Sequence, residues 1–258
     1  DSGDGMQLAG NIFSNVSAGI GDEISTFPDY PAEIRAPQGT LGGVSGFQVH
    51  IGKGVHTPGD LADVLVAMNP AALKTNARYV KKGGVVIIDS DSFRASDLEK
   101  AAFTTDDPIQ EAGLSHAQIV PVAITQMVKD SLVDSGLDNK SIVRCKNMFA
   151  LGLVCWLFDR PLEQAQHLLK NKFAKKPAIY EANAKVMRDG YNYGNNIHAS
   201  VSTYRVESAQ VKPGIYTDVN GNTATAWGLI AASEKSGLPL FLGSYPITPA
   251  TDILHELA

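Results

Sequence analysis

The sequence predicts an α/β fold with a mostly parallel sheet and flanking helices. Three short apolar runs, at 64–67, 85–88 and 119–122, are separated by stretches of helical periodicity. Strands that alternate with helices are typical of parallel sheets, because each crossover helix returns the chain to the same edge of the sheet. We therefore predict a Rossmann-like domain in which the three runs are buried strands.

Composition indicates a globular protein without a strong charge bias. The chain has 258 residues, of which 44% are hydrophobic and 19% charged, and its formal net charge is −5. These values allow a real core and exclude disordered, collagen-like and coiled-coil classes. Because nothing is globally basic, we expect a small molecule or another protein as partner, and no nucleic acid or membrane.

Hydropathy and cysteine usage predict a cytoplasmic protein. The longest apolar run covers 148–158, well short of the roughly 20 residues that a membrane-spanning helix needs. Cys145 and Cys155 lie on one predicted helix, about 15 Å apart along its axis, and cannot form a disulfide with each other. Two unpaired thiols and no signal-peptide pattern are typical of a reducing compartment.

The first elements of the chain are a helix, an irregular stretch and a strand. Apolar residues from Ala9 to Ile20 recur at helical spacing, which predicts an amphipathic helix. Residues 28–46 are rich in glycine and proline and are expected to be irregular. Residues 47–51 alternate between apolar and polar, as a strand does.

A helix should follow the apolar run at 64–67. Asn69 is placed to cap it, and Pro70 suits its first turn. This helix is expected to run to Lys82 and to stop at the glycine pair 83–84. The strand at 85–88 would follow directly.

The next helices are predicted from apolar pattern and from prolines. Residues 141–158 are apolar on nearly all sides, which predicts a central, buried helix. Pro161 and Pro177 open two further helices, and the second is expected to end at Gly190.

We expect a first domain over 1–190, a linker over 191–221 and a second domain that starts at 222. The linker is rich in Tyr, Asn, Ser and Gly and shows little periodicity. Beyond it the pattern predicts a helix capped by Asn222 and a short strand at 238–242. Both ends look cut, since the opening turn lacks a preceding strand and the last helix stops early, so we expect a piece of a longer polypeptide.

Two glycine-rich segments are candidate anion sites. Gly3 and Gly5 open a turn into the first helix, whose free N–H groups could face a phosphate. A turn that binds nothing fits equally well, since Asp4 puts a negative charge there, and the spacing is not the dinucleotide fingerprint. Arg35 lies in a second such loop, where its guanidinium suits a phosphate or carboxylate; an ion pair with Glu33 is the alternative.

Other reactive residues form no recognisable site. The six histidines show no metal-ligand spacing, so a metal site is not expected. No nucleophile elbow, Walker A loop or kinase signature is present. A basic cluster is best explained as a solvated helix end. It comprises Lys170, Lys172, Lys175 and Lys176.

The pentapeptide 245–249, YPITP, is the strongest local signal. Thr248 is expected to cap the last helix, with Pro249 in its first turn. The threonine hydroxyl and the first N–H groups would then converge at the carboxyl end of a strand, where a carboxylate could bind. Thr248 as a pure helix cap is the alternative.

Residues 222–228 (NTATAWG) and 245–251 (YPITPAT) together resemble the start of the pyrimidine-binding alpha domain of 2-oxoacid:ferredoxin oxidoreductases. The preceding part resembles the gamma domain of that family, through the glycine-rich opening, the segment 30–35 (YPAEIR) and the segment 147–152 (NMFALG). The gamma-then-alpha order is similar to the large subunit of 2-oxoglutarate:ferredoxin oxidoreductases. The second domain is thus expected to be the start of a further α/β thiamine-enzyme domain.

The resemblance implies oxidative decarboxylation of a 2-oxoacid, 2-oxoglutarate being favoured, on thiamine diphosphate with Mg²⁺. The acyl group would pass to coenzyme A, and two electrons would leave through iron–sulfur clusters on a beta subunit to ferredoxin. Within the motif, Thr248 would contact the substrate carboxylate and Tyr245 would be a second substrate contact. Pro246 would lie beside the aminopyrimidine ring.

The same resemblance makes Gly3, Gly5 and Arg35 candidate contacts of coenzyme A. The opening reads SGDG where many gamma domains have GGQG, and Ala250 stands where serine is commoner. The family's thiamine-activating glutamate would lie downstream, so we expect no catalytic residue here and no activity of this chain alone. A coenzyme A-binding or assembly module without catalysis is the alternative, and a free nicotinamide dehydrogenase conflicts with the glycine spacing.

Overall fold

The computed structural model describes residues 5–31, 36–52, 60–197, 201 and 203–258. It divides into two compact units, Asp1–Gln210 and Val211–Ala258. The strands are β1 (Ile24–Asp29), β2 (Gly46–Ile51), β3 (Ala62–Ala67), β4 (Val80–Asp89) and β5 (Gln118–Val122). The helices of the first unit are α1 (Met6–Gly19), α2 (Pro70–Asn76), α3 (Ala95–Lys100), α4 (Pro108–Glu111), α5 (Ile124–Ser131), α6 (Asn139–Arg144), α7 (Lys146–Leu157), α8 (Leu162–Lys172) and α9 (Pro177–Ile197). The second unit has α10 (Gly221–Ser236) and α11 (Thr251–Leu257).

A parallel sheet of three strands, in the order β3-β4-β5, lies in the first unit. Leu65, Val86 and Ile119 share one row of this sheet. All three apolar runs of the sequence are strands of it, which confirms the predicted α/β class. In the described part of the chain no helix combines the length and apolar character needed to cross a membrane.

The central strand β4 is buried on both faces. Val85 and Ile87 belong to one core, formed with α1, α5, α7, α8 and α9. Val86 and Ile88 belong to a second core, with α2 and α3. Because side chains alternate across a strand, burial of both faces requires the continuous apolar run that the sequence shows.

A separate antiparallel pair joins β1 to β2, with Ile24 opposite Ile51 and Asp29 opposite Gly46. The strand expected at 47–51 is confirmed, but β1 was not predicted from the sequence. Pro28, which lies in β1, argues against a strand by itself. Within the described residues this ribbon has two strands, so Pro28 lies on an edge strand, where a missing N–H is tolerated.

The helix expected to run from Pro70 to Lys82 is shorter, and this prediction was wrong. Asn69 does cap α2, since its Oδ1 accepts a hydrogen bond from Ala72 N at 2.9 Å. The helix ends at Asn76, however, and β4 begins at Val80, which is buried and pairs with Ala62. Strand pairing and burial of Val80 therefore override a lysine and glycine pattern that is typical of a helix end.

Helices α7 and α9 approach each other through glycines. A Cβ at Gly152 would lie 1.9 Å from the Met187 carbonyl oxygen, and a Cβ at Gly190 would lie 2.0 Å from that of Phe149. Gly190 is thus a contact point inside α9, and the prediction that the helix ends there was wrong. The expected helix over 141–158 is two helices, which meet at Cys145.

Residues 203–210, which we call the strap, run back over the first unit. The ring of Tyr204 stacks on Phe158 with centroids 5.1 Å apart. Ala209 N donates to Gly21 O at 2.8 Å. Part of the expected linker is therefore held against the first unit, and its beginning belongs to α9.

In the second unit, α10 begins earlier than expected. Asn220 caps it, because its Oδ1 accepts from Thr223 N at 2.9 Å, and Asn222 lies inside the helix. Residues 238–242 are described but form no strand, so that prediction was wrong. Ala226 is the buried hydrophobic residue among those described in this unit.

Candidate functional site

The carboxyl end of the parallel sheet opens into a cavity of about 510 Å³ in the first unit. Its wall includes the residues that directly follow the strands: Asn69 after β3, Asp91 and Ser92 after β4, and Thr125 after β5. In open α/β sheets this edge is where ligands bind. The strand order thus creates the cavity that a ligand would use.

Two carboxylates hold the rim of this cavity in place. Asp89, the buried last residue of β4, accepts hydrogen bonds from Thr125 Oγ1 at 2.6 Å and Ser92 Oγ at 2.8 Å. Asp91 Oδ2 accepts from Gln126 N at 2.8 Å. Because both carboxylates accept hydrogen bonds from the first residues of α5, their role at this edge is structural.

Three cationic side chains line the same cavity. Lys100 Nζ lies 3.6 Å from Asp97 Oδ1, which also belongs to the wall. Arg94 and Lys146 form no ion pair with any residue that the structure describes. Our sequence reasoning missed both, because no local motif marks them. Arg94 follows the end of β4 and Lys146 follows α6, and neither position by itself marks a site.

The glycine-rich segments lie at or beside this edge where they are described. Gly3 and Arg35 fall outside the described residues. Gly5 is the N-cap of α1 with φ of 89°, a conformation that favours glycine, and a Cβ there would lie 3.4 Å from Asn147 Nδ2. Residues 38–39 of the second loop line the cavity. The structure therefore places residues 38–39 in the cavity wall and Gly5 beside α7, whose first residue also lines the cavity.

The YPITP segment lies in the second unit and is largely exposed. Tyr245 is 69% exposed and Ile247 is 41% exposed. The Thr248–Pro249 peptide bond is cis, and α11 begins only at Thr251. Thr248 is therefore not the helix cap, and this prediction was wrong. Within the described residues its hydroxyl has no hydrogen-bond partner.

Helix α10 contacts the YPITP segment through a side chain of the segment 222–228. Asn222 Nδ2 donates to Pro249 O at 2.8 Å. Thr223 Oγ1 and Glu256 Oε1 add a contact of 3.4 Å between α10 and α11. The two segments of the sequence resemblance, 222–228 and 245–251, are thus in direct contact.

The cysteines are poor metal ligands. Both are free, and burial raises the pKa of Cys145 to about 11 and that of Cys155 to about 12. At neutral pH both are therefore protonated thiols, which is the unreactive form. No group of three metal-ligating side chains occurs in the described part of the chain. The donor set does not fit an iron–sulfur cluster.

Fold and site together define an α/β unit with a cavity at the carboxyl edge of its sheet, followed by a second unit with an exposed YPITP segment. A family model described as pyruvate ferredoxin/flavodoxin oxidoreductase matches residues 1–193. The chain belongs to this family, which confirms the family that the sequence motifs indicated.

A curated relative extends the match to the whole chain. The chain is 48% identical, over 259 aligned positions, to the 2-oxoglutarate oxidoreductase subunit KorA of Mycobacterium tuberculosis. The alignment covers 100% of this chain and 40% of that protein. The chain therefore spans less than half the length of this relative.

Two solved structures share the fold. One is a 2-oxoglutarate:ferredoxin oxidoreductase from Magnetococcus marinus with 2-oxoglutarate, coenzyme A and succinyl-CoA bound. Its TM-score is 0.69 and its sequence identity is 24%. The match covers 99% of this chain and 39% of that chain. The other is the gamma subunit of a keto/oxoacid ferredoxin oxidoreductase from Geobacter sulfurreducens, with a TM-score of 0.52 and 22% identity. This match covers 75% of this chain and 94% of the gamma subunit. At these identities the likeness concerns the fold.

Proposed function

We propose that the polypeptide carrying this chain is a subunit of a thiamine-dependent 2-oxoacid:ferredoxin oxidoreductase that acts on 2-oxoglutarate. The 48% identity to a 2-oxoglutarate oxidoreductase subunit along the whole chain carries this proposal. In the reaction the bond between the carboxylate and keto carbons of the 2-oxoacid breaks and carbon dioxide leaves. The remaining acyl group forms a thioester with the thiol of coenzyme A, and the thiol proton is released. Two electrons pass to ferredoxin.

The YPITP segment suits the organic ring of thiamine diphosphate and the substrate beside it. Tyr245 and Pro246 expose apolar surface on which the aminopyrimidine ring could lie. The free hydroxyl of Thr248 can donate a hydrogen bond to the substrate carboxylate, with Tyr245 as a second contact. When bound, thiamine diphosphate supplies the electron sink for loss of carbon dioxide.

The remaining groups are proposed to be held by partners. As the family resemblance implies, a beta subunit holds the iron–sulfur clusters, together with the site of the thiamine pyrophosphate and its Mg²⁺. Residues 1–190 then form the gamma domain, 191–221 a linker that is partly anchored, and 222–258 the start of the alpha domain. Coenzyme A meets the gamma domain, with Gly3, Gly5 and Arg35 as contacts, and the complex works in the cytoplasm.

A turnover assay with a substitution at Thr248 tests this function. The full polypeptide is combined with its beta subunit, 2-oxoglutarate, coenzyme A and a viologen acceptor, and acceptor reduction is followed. We expect reduction that depends on coenzyme A and falls at least about tenfold in Thr248→Ala, as for the loss of one hydrogen bond to a charged group. Thr217→Ala, at an exposed threonine outside the motif, should leave the rate unchanged. Equal rates in both variants would contradict the role of Thr248.

The cavity of the first unit favours a second candidate, a coenzyme A-binding or assembly module without catalysis. It predicts binding of coenzyme A by calorimetry in a complex that is silent with every 2-oxoacid. Acceptor reduction that requires a 2-oxoacid excludes it.

A further inference from the structure

The strap, residues 203–210, is fixed to the first unit at two places, and the first of them is the end of α7. Tyr204 N donates a hydrogen bond to Leu157 O at 2.8 Å, and the Tyr204 ring stacks on Phe158. The Tyr204 hydroxyl adds a hydrogen bond to Asp63 O at 3.1 Å. Tyr204 is therefore the first anchor of the strap.

The second anchor lies on the turn that follows α1. Ser208 Oγ donates to Ile20 O at 3.2 Å, and Ala209 N donates to Gly21 O at 2.8 Å. Both acceptors are backbone carbonyls, so the strap binds the backbone of this turn. The two anchors together therefore depend on how the ends of α1 and α7 are placed relative to each other.

A buried ion pair joins the same two turns. Asp22 directly follows Gly21, and Arg160 lies two positions after Phe158. Arg160 Nη2 lies 2.6 Å from Asp22 Oδ2, and the two side chains are only 3% and 1% exposed. Within the described part of the chain neither side chain has another ion-pair partner. Removal of one charge would therefore leave the other buried and uncompensated.

The turn after α7 has a backbone that its surroundings must hold. Asp159, between Phe158 and Arg160, has φ of 53°, in the left-handed region that non-glycine residues rarely adopt. Arg160 N donates to Cys155 O at 2.7 Å. The Phe158 ring also meets the ring of Phe13, in α1, edge-on at 5.6 Å. The ion pair and this aromatic contact are thus two separate links between the end of α7 and the α1 region.

We propose that the Asp22–Arg160 ion pair is a latch that sets whether the strap is docked on the first unit or released from it. With the pair intact, the two turns are held at the spacing at which Tyr204 and Ala209 reach their carbonyls together. With the pair broken, one anchor is lost and the strap leaves as a unit, while the rest of the first unit stays folded. Because the second unit begins at Val211, the latch determines whether the chain that leads to it is fixed or loose.

The strap has the properties of a segment that opens locally. It belongs to no helix or strand, and Arg205 and Glu207 are exposed. Segments with few buried contacts open at a free energy well below that of global unfolding. Arg205 is also a trypsin site between the two anchors. Cleavage after it therefore reports release of the strap directly.

Proteolysis and hydrogen exchange of the full polypeptide test the latch. Asp22→Asn keeps the size of the side chain and removes its charge. We expect trypsin cleavage after Arg205 and deuterium uptake of residues 203–210 to become at least about tenfold faster, because breaking a buried ion pair is strongly destabilising. The contact between Phe13 and Phe158 is unchanged in this variant, so packing alone predicts the wild-type rates.

Arg160→Lys is the second variant of the pair. It keeps the positive charge but loses the planar guanidinium, which is not equivalent to an ammonium in a close ion pair. Because no charge is left uncompensated, this variant should fold even if Asp22→Asn does not. It should release the strap severalfold faster than wild type.

Two control variants separate release of the strap from general effects. Glu23→Gln neutralises the neighbouring carboxylate, which has no ion-pair partner among the described residues. Glu111→Gln removes a carboxylate whose hydrogen bonds come from Thr104, Lys74 and Thr105, and should lower the stability of the first unit without touching the strap. Both controls should keep the wild-type rates of cleavage and exchange.

Every outcome decides for or against the latch. Faster release in Asp22→Asn and Arg160→Lys, with wild-type rates in both controls, supports it. Wild-type rates in Asp22→Asn, or in Arg160→Lys where Asp22→Asn does not fold, overturn it. Equal acceleration in Glu111→Gln also overturns it, because the strap would then open only with the whole first unit. The test needs no substrate or cofactor, so its result is independent of the proposed function.

Discussion

At the scale of single residues, Gly152 and Gly190 decide how closely α7 and α9 pack. Their missing side chains let each helix touch the backbone of the other. Gly152→Ala should push the helices apart and lower the free energy of unfolding by about 1–3 kcal/mol, as overpacking of a core does. Urea unfolding of the purified protein measures this change.

Asn192→Ala is the control, since Asn192 lies on the exposed side of α9. It should change the free energy of unfolding by less than about 0.5 kcal/mol. An unchanged stability of Gly152→Ala would show that α7 and α9 do not pack as closely as described.

Glu111 makes the free energy of unfolding depend on pH in the acidic range. Burial alone raises the pKa of this carboxyl, but hydrogen bonds from Thr104, Lys74 and Thr105 outweigh it and lower the pKa from 4.5 to about 2. This stabilisation is complete above pH 4.5 and is lost as the pH falls toward 2. Glu111→Gln should therefore reduce stability at neutral pH and flatten the pH dependence in that window.

Unfolding by urea at a series of pH values measures the effect of Glu111. Glu99→Gln, at an exposed position of α3, should keep the wild-type pH dependence. The same slope in Glu111→Gln and wild type would mean that other carboxyls cause the acid sensitivity.

At the scale of elements, the strap holds the chain that leaves α9. The Tyr204 hydroxyl donates to Asp63 O at 3.1 Å, and its ring stacks on Phe158. Tyr204→Phe should cost about 0.5–1.5 kcal/mol for the lost hydrogen bond. Tyr204→Ala should cost about 1 kcal/mol more, because the ring contact is also lost.

Thermal unfolding of the two Tyr204 variants, beside the exposed Glu207→Ala as control, checks this order. Similar stability of Tyr204→Ala and Glu207→Ala would mean that the contacts of Tyr204 do not stabilise the first unit.

Local patterns predicted the elements that depend on local chemistry. The cap at Asn69 and the helix start at Pro177 are of this kind, because capping involves neighbours in sequence. Helix α8 begins at Leu162, one residue after the predicted start at Pro161. The end of α2 was mispredicted because Val80 pairs with Ala62, a residue that is distant in sequence. Strand pairing of this type leaves no local trace.

The candidate site shows the same division. Gly5 could be singled out because a glycine-rich turn is visible in sequence, and the structure gives it a positive φ. Arg94 and Lys146 could not be singled out from the sequence, because they are 52 positions apart. The fold brings both to one cavity. Thr248 was identified by its motif, but its assignment as a helix cap failed because α11 begins at Thr251.

At the scale of the whole molecule, the two units have different roles in the proposed function. The first unit offers a cationic cavity at the edge of a parallel sheet, and the second offers an exposed apolar segment with a free hydroxyl. Neither unit carries a complete catalytic set within its described residues. Under the proposed function, activity requires the complex of the full polypeptide with its beta subunit.

The stoichiometry of the products is the sharpest test of the proposed reaction. The assembled complex is supplied with 2-oxoglutarate, coenzyme A and oxidised ferredoxin, and carbon dioxide, acyl-CoA and reduced ferredoxin are measured together. Equal amounts of carbon dioxide and acyl-CoA are expected, with two electrons transferred for each acyl-CoA formed. Carbon dioxide without acyl-CoA, or no product from any 2-oxoacid by a complex that still binds coenzyme A, would contradict it.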